Sequence, residues 1–312
     1  MINCLSLVVF FISYSTSYGK STQLFLSKQK IYEDDFFRVD NVFTKDNQHI
    51  RLFGPSNVSA DGITHGFISL ENENHIVVPY IKLMLSGLYL QPTRSPKSIL
   101  MIGLGISILP RAFNQIILKD SHIDVVEIDE RTLDLAQKYF FLKKSPLLNV
   151  IIDDGFDYLM NLTSEKYDMI ILDAFMEVSQ KSCAPDTFLT ERFVLKVRER
   201  LNSKGVFVIN TLPQFCSKFQ LERNLYHSIF GRIYMESFYS NTVLIALKGK
   251  APTQRQIESR ISYYKKVFKR VGTDGHWLVQ MFNSFKRYKK NALYKLHCDM
   301  FLYTFLDNTC SN

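Results

Sequence analysis

The chain has 312 residues, of which 46% are hydrophobic, so it can bury a sizeable core as one large or two smaller domains. Residues 250–312 contain 12 lysines and arginines against 4 acidic residues, while residues 1–249 contain 26 of each. The net charge of +8 therefore belongs to the C-terminal part, and the rest gives no reason to expect a nucleic-acid partner. The five cysteines form no C-x-x-C pair and the seven histidines no H-x-x-x-H pair, which argues against a structural zinc site.

An apolar stretch lies close to the N-terminus. Residues 4–12 are apolar and are followed by small residues at Ser15, Ser17 and Gly19, a pattern typical of a cleaved signal peptide and too short to span a bilayer. The pattern predicts a signal peptide over residues 1–19 and a secretory route. Because no lysine or arginine precedes the apolar stretch, a buried N-terminal strand or helix in a cytoplasmic protein is the alternative.

Residues 28–92 are predicted to form a small antiparallel β-rich unit. Short apolar or alternating runs are separated there by turn-forming clusters of Asp, Asn, Gly and Pro. The runs are FFRVDNVF, HIRLFG and HGFISL. A helix is expected over residues 80–90, and the sequence QPTRSP at residues 91–96 is the predicted boundary of this unit.

From residue 97 to residue 249, apolar strands alternate with amphipathic helices. The predicted strands are SILMI, IDVVEI, NVIID, YDMIIL, GVFVIN and TVLIAL. The predicted helices lie at 107–118, 130–142, 155–162, 187–201 and 217–230. Strands that are apolar throughout are typical of a parallel sheet covered on both faces, so the pattern predicts an α/β domain with a doubly wound, Rossmann-like sheet.

The basic tail over residues 252–312 is predicted to be helical. Its apolar residues recur with helical spacing at positions 257, 261, 264, 268 and 271, and the opposite face carries lysines and an arginine. This spacing indicates a helix docked on the sheet domain with a solvated basic face. The alternative is a basic surface that contacts an anionic partner.

Four consecutive predicted strands end in a glycine or a carboxylate. The ends are Gly103-Leu104-Gly105, Glu127-Ile128-Asp129, Asp153-Asp154-Gly155 and Asp173. Glycines let the main chain approach a ligand, and a carboxylate at the second strand end can accept hydrogen bonds from both ribose hydroxyls. Because ligands bind at the carboxyl ends of parallel strands, the pattern indicates a nucleoside site. The alternative is that these are ordinary turn residues.

Two further observations narrow the ligand and reaction class. A dinucleotide-binding loop needs the third glycine of G-x-G-x-x-G, and residue 108 is Ile, so a diphosphate is disfavoured. The sequence also contains no G-x-S-x-G motif and no complete G-x-x-x-x-G-K-[ST] loop, so nothing in it suggests hydrolase or kinase chemistry. An acid-rich rim suits a cationic sulfonium nucleoside without phosphates.

These residues, in this order, resemble the spermidine-synthase-like (polyamine aminopropyltransferase) family and its methyltransferase relatives. The matching segments are VVEIDE, IIDDGFDYL, YDMIILDAF and CAPDTFLTERFVLKVRERLNSKGVFVIN. The chain is especially similar to the spermidine-synthase-like half of methyltransferase-like 13 proteins and to bacterial spermidine-synthase-like proteins. The resemblance covers about residues 30–249 and implies a class I methyltransferase-type fold with a β unit ahead of it; homodimers are usual in this family.

The resemblance implies that S-adenosylmethionine or its decarboxylated form binds, without a metal. Glu127 would then bind the ribose and Asp154 the adenine amine, while Gly103 and Gly105 would line the methionine-derived part. The other candidates for cofactor binding at these strand ends are Asp129, Asp153 and Gly155. Asp173 matches the carboxylate beside the transferred group, which in polyamine synthases helps to deprotonate the attacking amine.

The sequence departs from the family where a polyamine would be held. Ile106 and Ser107 stand where the glycine-rich loop continues with glycine and an aspartate, and Met176 replaces the second Asp of a D-x-x-D motif. Of a family Tyr-His-Glu segment only Tyr80 remains, because Lys82 stands in place of the Glu. Two or three buried ammonium groups would therefore lack the carboxylates that compensate their charge, which costs several kcal/mol for each ion.

Three functions follow as alternatives. Methyl transfer to an unidentified small-molecule or protein acceptor is favoured, since it needs in-line positioning and a deprotonated nucleophile, for which Asp173 suffices. Aminopropyl transfer would need a replacement acid; Glu177 is the candidate and, with Tyr80, a predicted acceptor-binding residue. The third alternative is a catalytically inactive binding protein, because Ile106 could crowd a cofactor.

Overall fold

The computed structural model describes residues 25–56, 65–92, 95–114, 118, 120–178, 181–213, 219–238, 241–269 and 286–287. The predicted signal peptide lies outside the described residues, so the secretory route stays a prediction, as does the homodimer. No helix within these ranges is long and apolar enough to cross a membrane.

A four-stranded antiparallel sheet comes first along the chain. Its strands are β1 (Phe25–Glu33), β2 (Phe37–Thr44), β3 (His49–Pro55) and β4 (Gly66–Ser69), and they lie in that spatial order. Val39 and Val42 of β2 and Leu52 of β3 are buried in the core, although Val39 and Val42 are three residues apart and so do not follow strict alternation. The predicted β unit is confirmed. Its first strand, β1, is exposed along most of its length and so carries no alternating signal.

Two short helices replace the single helix predicted over residues 80–90. They are α1 (Pro79–Met84) and α2 (Gly87–Leu90). Pro79 occupies the first turn of α1, where a missing backbone N–H leaves no hydrogen bond unmade. Both helices are buried against the central sheet, and they carry Tyr80 towards its edge.

An eight-stranded sheet forms the centre of the molecule. In chain order its first four strands are β5 (Ser98–Ile102), β6 (His122–Glu127), β7 (Leu148–Ile152) and β8 (Tyr167–Leu172). A separate hairpin of β9 (Met176–Val178) and β10 (Lys181–Cys183) follows. The last four strands of the central sheet are β11 (Leu201–Thr211), β12 (Ile233–Phe238), β13 (Asn241–Leu247) and β14 (Lys286–Arg287). The eight strands lie in the order β14-β12-β13-β11-β8-β5-β6-β7. The five strands from β11 to β7 are parallel, and the other three pair antiparallel.

Helices cover this sheet on both faces. They are α3 (Ile108–Ala112), α4 (Glu130–Tyr139), α5 (Gly155–Asn161), α6 (Glu191–Arg200), α7 (Phe219–Phe230) and α8 (Gln254–Phe268), with a 3₁₀ turn at Asp186–Leu189 before α6. In β5, Ile99 and Met101 join a core that includes the antiparallel sheet, while Leu100 and Ile102 join a second core beneath α5, α6 and α7. Burial of alternate residues on both faces explains the apolar strands and confirms the predicted doubly wound domain.

The C-terminal part of the sheet differs from the prediction. Residues 233–238 form β12, an additional strand, and the last predicted strand, β13, runs antiparallel to β11 rather than parallel. β12 was not predicted because only one of its faces is buried: Ile233 and Met235 are buried, whereas Tyr234 and Glu236 are only partly covered. A strand with one solvated face lacks the continuous apolar run that identifies a central parallel strand.

The helical prediction for the basic tail is confirmed over Gln254–Phe268 and wrong at Lys286–Arg287, which pair with β12 as strand β14. Ile257, Tyr264 and Phe268 are buried in the core shared with the antiparallel sheet. Arg260 is also buried on this face, and its guanidinium donates hydrogen bonds to the carbonyls of Tyr89 and Pro92 at 2.9 and 3.0 Å. The lysines at 265, 266 and 269 are exposed, as the pattern predicts, and their contact with an anionic partner stays a prediction.

Candidate functional site

Strand order reverses between β5 and β8. The chain proceeds from β5 outward through β6 and β7, then returns to β8 on the other side of β5. In such sheets a crevice opens at the carboxyl ends of the strands at this point. All of the strand-end residues singled out in the sequence therefore lie along one edge.

The two glycines that follow β5 are required for different reasons. Gly103 has a φ of +99°, and a Cβ atom built on it would lie 2.2 Å from the carbonyl oxygen of Asp173. Only glycine fits there, because the ends of β5 and β8 approach each other closely. Gly105 has a φ of +51°, yet no described atom lies within 4 Å of a Cβ built on it. Gly105 therefore faces open space in which a ligand can lie.

Ile106 packs against the antiparallel sheet. Its side chain is buried, and its Cδ1 atom would lie 2.9 Å from a Cβ built on Gly66 of β4. The absence of a side chain at Gly66 makes room for Ile106 on that side. This contact removes the reason for expecting Ile106 to crowd a cofactor.

Glu127, at the end of β6, is held by two backbone amides. Its Oε2 accepts a hydrogen bond from the N–H of Leu104 at 3.0 Å, and its Oε1 accepts one from the N–H of Asp129 at 3.1 Å. The first bond ties the glycine loop to the neighbouring strand end. Each carboxylate oxygen has a further lone pair, so a vicinal diol can still donate to this group.

Asp154 is the N-cap of α5. Its Oδ1 accepts from the N–H groups of Phe156 and Asp157 at 2.7 and 3.3 Å. Within the described part of the chain Oδ2 makes no hydrogen bond, so this oxygen can accept one from a ligand. The adjacent Gly155 is a packing requirement, because a Cβ built on it would lie 2.4 Å from Cγ2 of Ile102.

Asp129 and Asp153 have local structural roles. Asp129 caps α4 by accepting from the N–H of Arg131 at 3.0 Å, and the hydrogen bond from the Arg131 side chain lowers the pKa of the Asp129 carboxyl. Asp153 is exposed, and its Oδ1 accepts from the N–H of Asp154 at 2.8 Å. Their participation in cofactor binding stays a prediction, as it does for Gly155.

Asp173 lies at the centre of a chain of hydrogen bonds. The amide of Asn210 donates to its Oδ1 at 2.9 Å, and the hydroxyl of Tyr80 donates to its Oδ2 at 3.3 Å. The amide of Asn241 in turn donates to Oδ1 of Asn210 at 3.0 Å, which fixes the Asn210 amide with its NH₂ towards Asp173. Elements α1, β8, β11 and β13 thus meet at one carboxylate.

Burial sets the acidity of this group. It raises the pKa of the Asp173 carboxyl to about 6, and the hydrogen bonds from Asn210 and Tyr80 counter that effect only in part. Burial and the nearby Asp173 carboxylate raise the pKa of the Tyr80 phenol well above its ordinary value. Tyr80 therefore stays protonated as a donor, and Asp173 can exchange a proton near neutral pH.

Of the two predicted acceptor-binding residues, Tyr80 and Glu177, only Tyr80 has a described side-chain contact with Asp173. Lys82, two residues further along α1, is partly buried, and this burial lowers the pKa of its ammonium to about 8. Glu177 lies on β9, where its backbone pairs with Ser182, and its role towards an acceptor stays a prediction.

Three residues of this edge were not predicted. Asn210 ends the GVFVIN strand, so the rule that selected the other strand ends also applies to it. Asn241 carries no sequence signal, because it precedes a strand that runs the other way. Ile128 is 69% exposed although it lies between Glu127 and Asp129, and an exposed apolar side chain between two carboxylates suggests a surface that a flat apolar ring can cover.

In the described ranges no three His, Cys, Asp or Glu side chains come together as a set that could hold an ion.

A family model for the spermine/spermidine synthase domain matches residues 80–241, which is more than half of the chain. The chain belongs to this family. The family assignment confirms the resemblance derived from the strand-end motifs, and the matched range runs from Tyr80 through Asn241, the two ends of the hydrogen-bond chain at Asp173.

Two relatives that are named for different reactions resemble this chain. A polyamine aminopropyltransferase of Vibrio vulnificus is 31% identical over 60% of this chain and 62% of its own length. The mouse eEF1A lysine and N-terminal methyltransferase is 30% identical over 59% of this chain and 27% of its own. The chain thus spans less than two thirds of either relative.

A solved structure shows the same fold. Human methyltransferase-like protein 13 in complex with SAH aligns with a TM-score of 0.54 and 22% identity over 72% of this chain and 99% of that one. The likeness confirms the predicted class I methyltransferase-type fold.

Proposed function

We propose that this chain is an S-adenosylmethionine-dependent transferase that moves a methyl group to an acceptor nucleophile. The observation that carries the proposal is that Glu127, which can still accept from a vicinal diol, and the partly buried Asp173, whose pKa is raised to about 6, lie on one edge of the sheet. The two relatives, one an aminopropyltransferase and one a methyltransferase, support transfer from a sulfonium nucleoside in general.

The residues of the edge suit this nucleoside. Glu127 would accept hydrogen bonds from the ribose hydroxyls, and Oδ2 of Asp154 would accept one from the adenine amine. Ile128 would cover a face of the adenine, and Gly105 borders open space for the methionine-derived part. When bound, S-adenosylmethionine supplies a methyl group activated by a sulfonium.

Asp173 would remove the proton from the acceptor. Its raised pKa makes it a stronger base than an ordinary carboxylate, and above about pH 6 it is ionised. Tyr80 and Asn210 hold one carboxylate oxygen each, so the group keeps its orientation while the proton arrives.

Methyl transfer is favoured over aminopropyl transfer by the charges on the acceptor side. By the resemblance, the family carries carboxylates at the positions of Lys82 and Met176, so this chain lacks two of the carboxylates that would compensate the charges of a polyamine. The Vibrio relative favours the aminopropyl alternative, which keeps Glu177 as the acid to test. An inactive binding protein is supported less, since Ile106 packs against Gly66.

The test is calorimetric titration of the full chain with S-adenosylmethionine, its decarboxylated form and methylthioadenosine. Tighter binding of the carboxylated form is the expected result. A preference for the decarboxylated form would replace methyl transfer by aminopropyl transfer. No binding of any of the three would overturn the proposal.

Asp154→Asn is expected to weaken nucleoside binding about tenfold or more, because an NH₂ group replaces the acceptor offered to the adenine amine. The variant keeps an oxygen to cap α5, so its stability should change little. The matched control is Asp157→Asn, which removes an exposed carboxylate from the same helix. Equal affinities for the two variants would contradict the assignment of Asp154.

Ile128→Asp should also weaken nucleoside binding, by about tenfold, since it puts a charge where the adenine face is proposed to lie. Because Ile128 is 69% exposed, the melting temperature should stay close to that of the parent. The control is Leu26→Asp, which places the same charge at another exposed apolar residue, on β1. Unchanged affinity in Ile128→Asp would show that the ring lies elsewhere.

A further inference from the structure

Positive charge collects at the amino ends of the central strands, on the edge of the sheet opposite to Asp173. Exposed lysines lie there near the ends of β13, β11, β8 and β5; β13 runs antiparallel, so its carboxyl end reaches this edge. In that order they are Lys250, Lys204, Lys166 and Lys97, and we call them the lysine row. Because these strands are neighbours in the same order, the row crosses half of the eight-stranded sheet.

Backbone contacts hold the β11 and β13 ends of the lysine row together. The N–H of Lys248 donates to the carbonyl of Gly205 at 3.1 Å. A Cβ atom built on Gly249 would lie 3.4 Å from Cα of Lys204. The lysines at positions 204, 248 and 250 are therefore placed side by side.

Further cations surround Lys248. Burial and then the positive charges of Lys166, Arg198 and Arg200 lower the pKa of its ammonium. The two arginines lie in the last turn of α6. Like charges held this close repel one another, and a bound anion removes part of that repulsion.

The acids at this edge are fewer than the cations, and two of them already have partners. Oδ1 of Asp168 accepts from the amide of Asn202 at 2.7 Å, and its Oδ2 accepts from the N–H of Lys97 at 2.8 Å. Glu199 contacts the guanidinium of Arg200. The acids are Asp120, Glu165, Asp168 and Glu199, and the cations are Lys97, Lys166, Lys204, Lys248, Lys250, Arg198 and Arg200. The amino edge therefore carries a positive charge.

The composition conceals this surface, because opposite charges cancel in the sum. Residues 1–249 contain 26 basic and 26 acidic residues. The folded chain places acids at the carboxyl edge, where they are Glu127, Asp129, Asp153, Asp154 and Asp157. A part of the chain with no net charge thus presents a basic edge and an acidic edge on opposite sides of one sheet.

The length of the lysine row fits a linear polyanion. Neighbouring strands lie about 4.8 Å apart, so four strands span about 14 Å, the distance covered by about four phosphates along one strand of a nucleic-acid duplex. We propose that the lysine row binds the phosphate backbone of a nucleic acid. Lysines pair with phosphates as point charges, so the binding does not depend on base sequence. RNA and DNA share this chemistry.

A lipid surface suits the lysine row less well. In the described connections that carry the row, no large apolar side chain is exposed that could enter a lipid layer. The row is also extended along the sheet edge, whereas lipid headgroups offer charge over a plane.

The test is fluorescence anisotropy of the full chain with labelled 20-base-pair duplexes of RNA and of DNA, each in two unrelated sequences. We expect the logarithm of the binding constant to fall against the logarithm of salt concentration with a slope of about −3 to −4, or about 100-fold between 50 and 200 mM salt. Tighter binding of one duplex type would identify RNA or DNA as the source. No binding of either, or binding of only one sequence, would overturn the proposal.

The double variant Lys166→Gln/Lys204→Gln should weaken duplex binding about tenfold and reduce the salt slope by about two, because it removes two phosphate contacts. The matched control is Lys266→Gln/Lys269→Gln, which removes the same charge from the exposed face of α8 in the basic tail. All four lysines are exposed, so both variants should fold. A control variant that loses as much affinity as the row variant would assign the binding to the tail and refute the row.

Vesicles containing phosphatidylserine provide the membrane comparison. The proposal predicts that the duplexes bind and that Lys166→Gln/Lys204→Gln affects them more than it affects the vesicles. Vesicle binding without duplex binding would overturn the proposal in favour of a lipid surface.

The lysine row is independent of the proposed transferase function, because it lies on the opposite edge of the sheet from the nucleoside-binding groups. The row variant should therefore bind S-adenosylmethionine as tightly as the parent does. Duplex binding without nucleoside binding would keep this surface and refute the transferase proposal. Nucleoside binding without duplex binding would refute this surface alone.

Discussion

Gly103→Ala is expected to prevent stable folding, with a loss of about 4 kcal/mol or more in the free energy of unfolding. The new methyl would lie 2.2 Å from the carbonyl oxygen of Asp173, a backbone atom fixed between two strands, and the residue would keep a φ of +99°. The main chain cannot move away from the methyl without separating β5 from β8. At this point the two strands are joined by a hydrogen bond from the N–H of Asp173 to the carbonyl of Ile102 at 2.9 Å. Urea denaturation measures the loss.

Gly105→Ala provides the matched comparison, because it adds the same methyl two residues away. Its φ of +51° costs about 1–2 kcal/mol for a residue with a side chain, and no described atom obstructs the methyl. The variant should fold, yet bind S-adenosylmethionine about tenfold or more weakly, since the methyl enters the open space assigned to the nucleoside. A folded Gly103→Ala, or a Gly105→Ala with unchanged affinity, would contradict the separate roles given to the two glycines.

Asp173→Asn is expected to abolish transfer while making the protein more stable at neutral pH. Loss of the proton acceptor should reduce kcat by about 10²–10⁴ with whichever acceptor the binding experiments yield. The nucleoside affinity should hardly change, because Asp173 is assigned to the acceptor. Asparagine has a similar shape and can still accept from Tyr80 or Asn210.

The stability change has a sign fixed by the pKa. The carboxyl titrates at about 6 in the folded protein and at 3.8 as an unperturbed group, so the folded state binds the proton more tightly. The stabilisation that this tighter proton binding gives to the folded state is complete below about pH 4 and is lost as the pH rises through about 6. Asparagine does not titrate, so the variant should be about 1–2 kcal/mol more stable than the parent above pH 6, after allowance for solvent contact. Urea denaturation at acidic and neutral pH measures this difference, and a variant less stable at neutral pH would contradict it.

Most of the central sheet could be predicted because its strands are buried on both faces. Ile99 to Ile102 and Ile170 to Leu172 are apolar at every position, and such runs identify strands without reference to tertiary contacts. β1 and β12 could not be predicted in the same way. Each exposes one face or most of its length, so its assignment depends on the neighbouring strand with which it pairs.

Within the site, the sequence was enough to predict which residues follow the parallel strands. It was not enough to predict the separate role of each of them. Gly103 and Gly155 look like Gly105 in the sequence, yet the atoms that their missing side chains would meet are backbone or core atoms. Asn241 could not be found, since it reaches Asp173 through Asn210 from an antiparallel strand. Indirect contacts of this kind depend on how segments that are distant in the sequence meet in the fold. A rule that selects the residues at the ends of parallel strands does not describe them.

The packing of Ile106 against Gly66 has a consequence for how this chain can be divided. Every residue assigned to the nucleoside lies between residues 103 and 154, so a fragment that begins at residue 97 would retain all of them. That fragment would leave Ile106 without its partner, and the carbonyl of Tyr139 at the end of α4 without the hydrogen bond that the Arg51 guanidinium donates to it at 2.7 Å. The nucleoside-binding residues are contiguous along the chain, but they do not form a transferable module, because one wall of their loop is supplied by the strands that precede it.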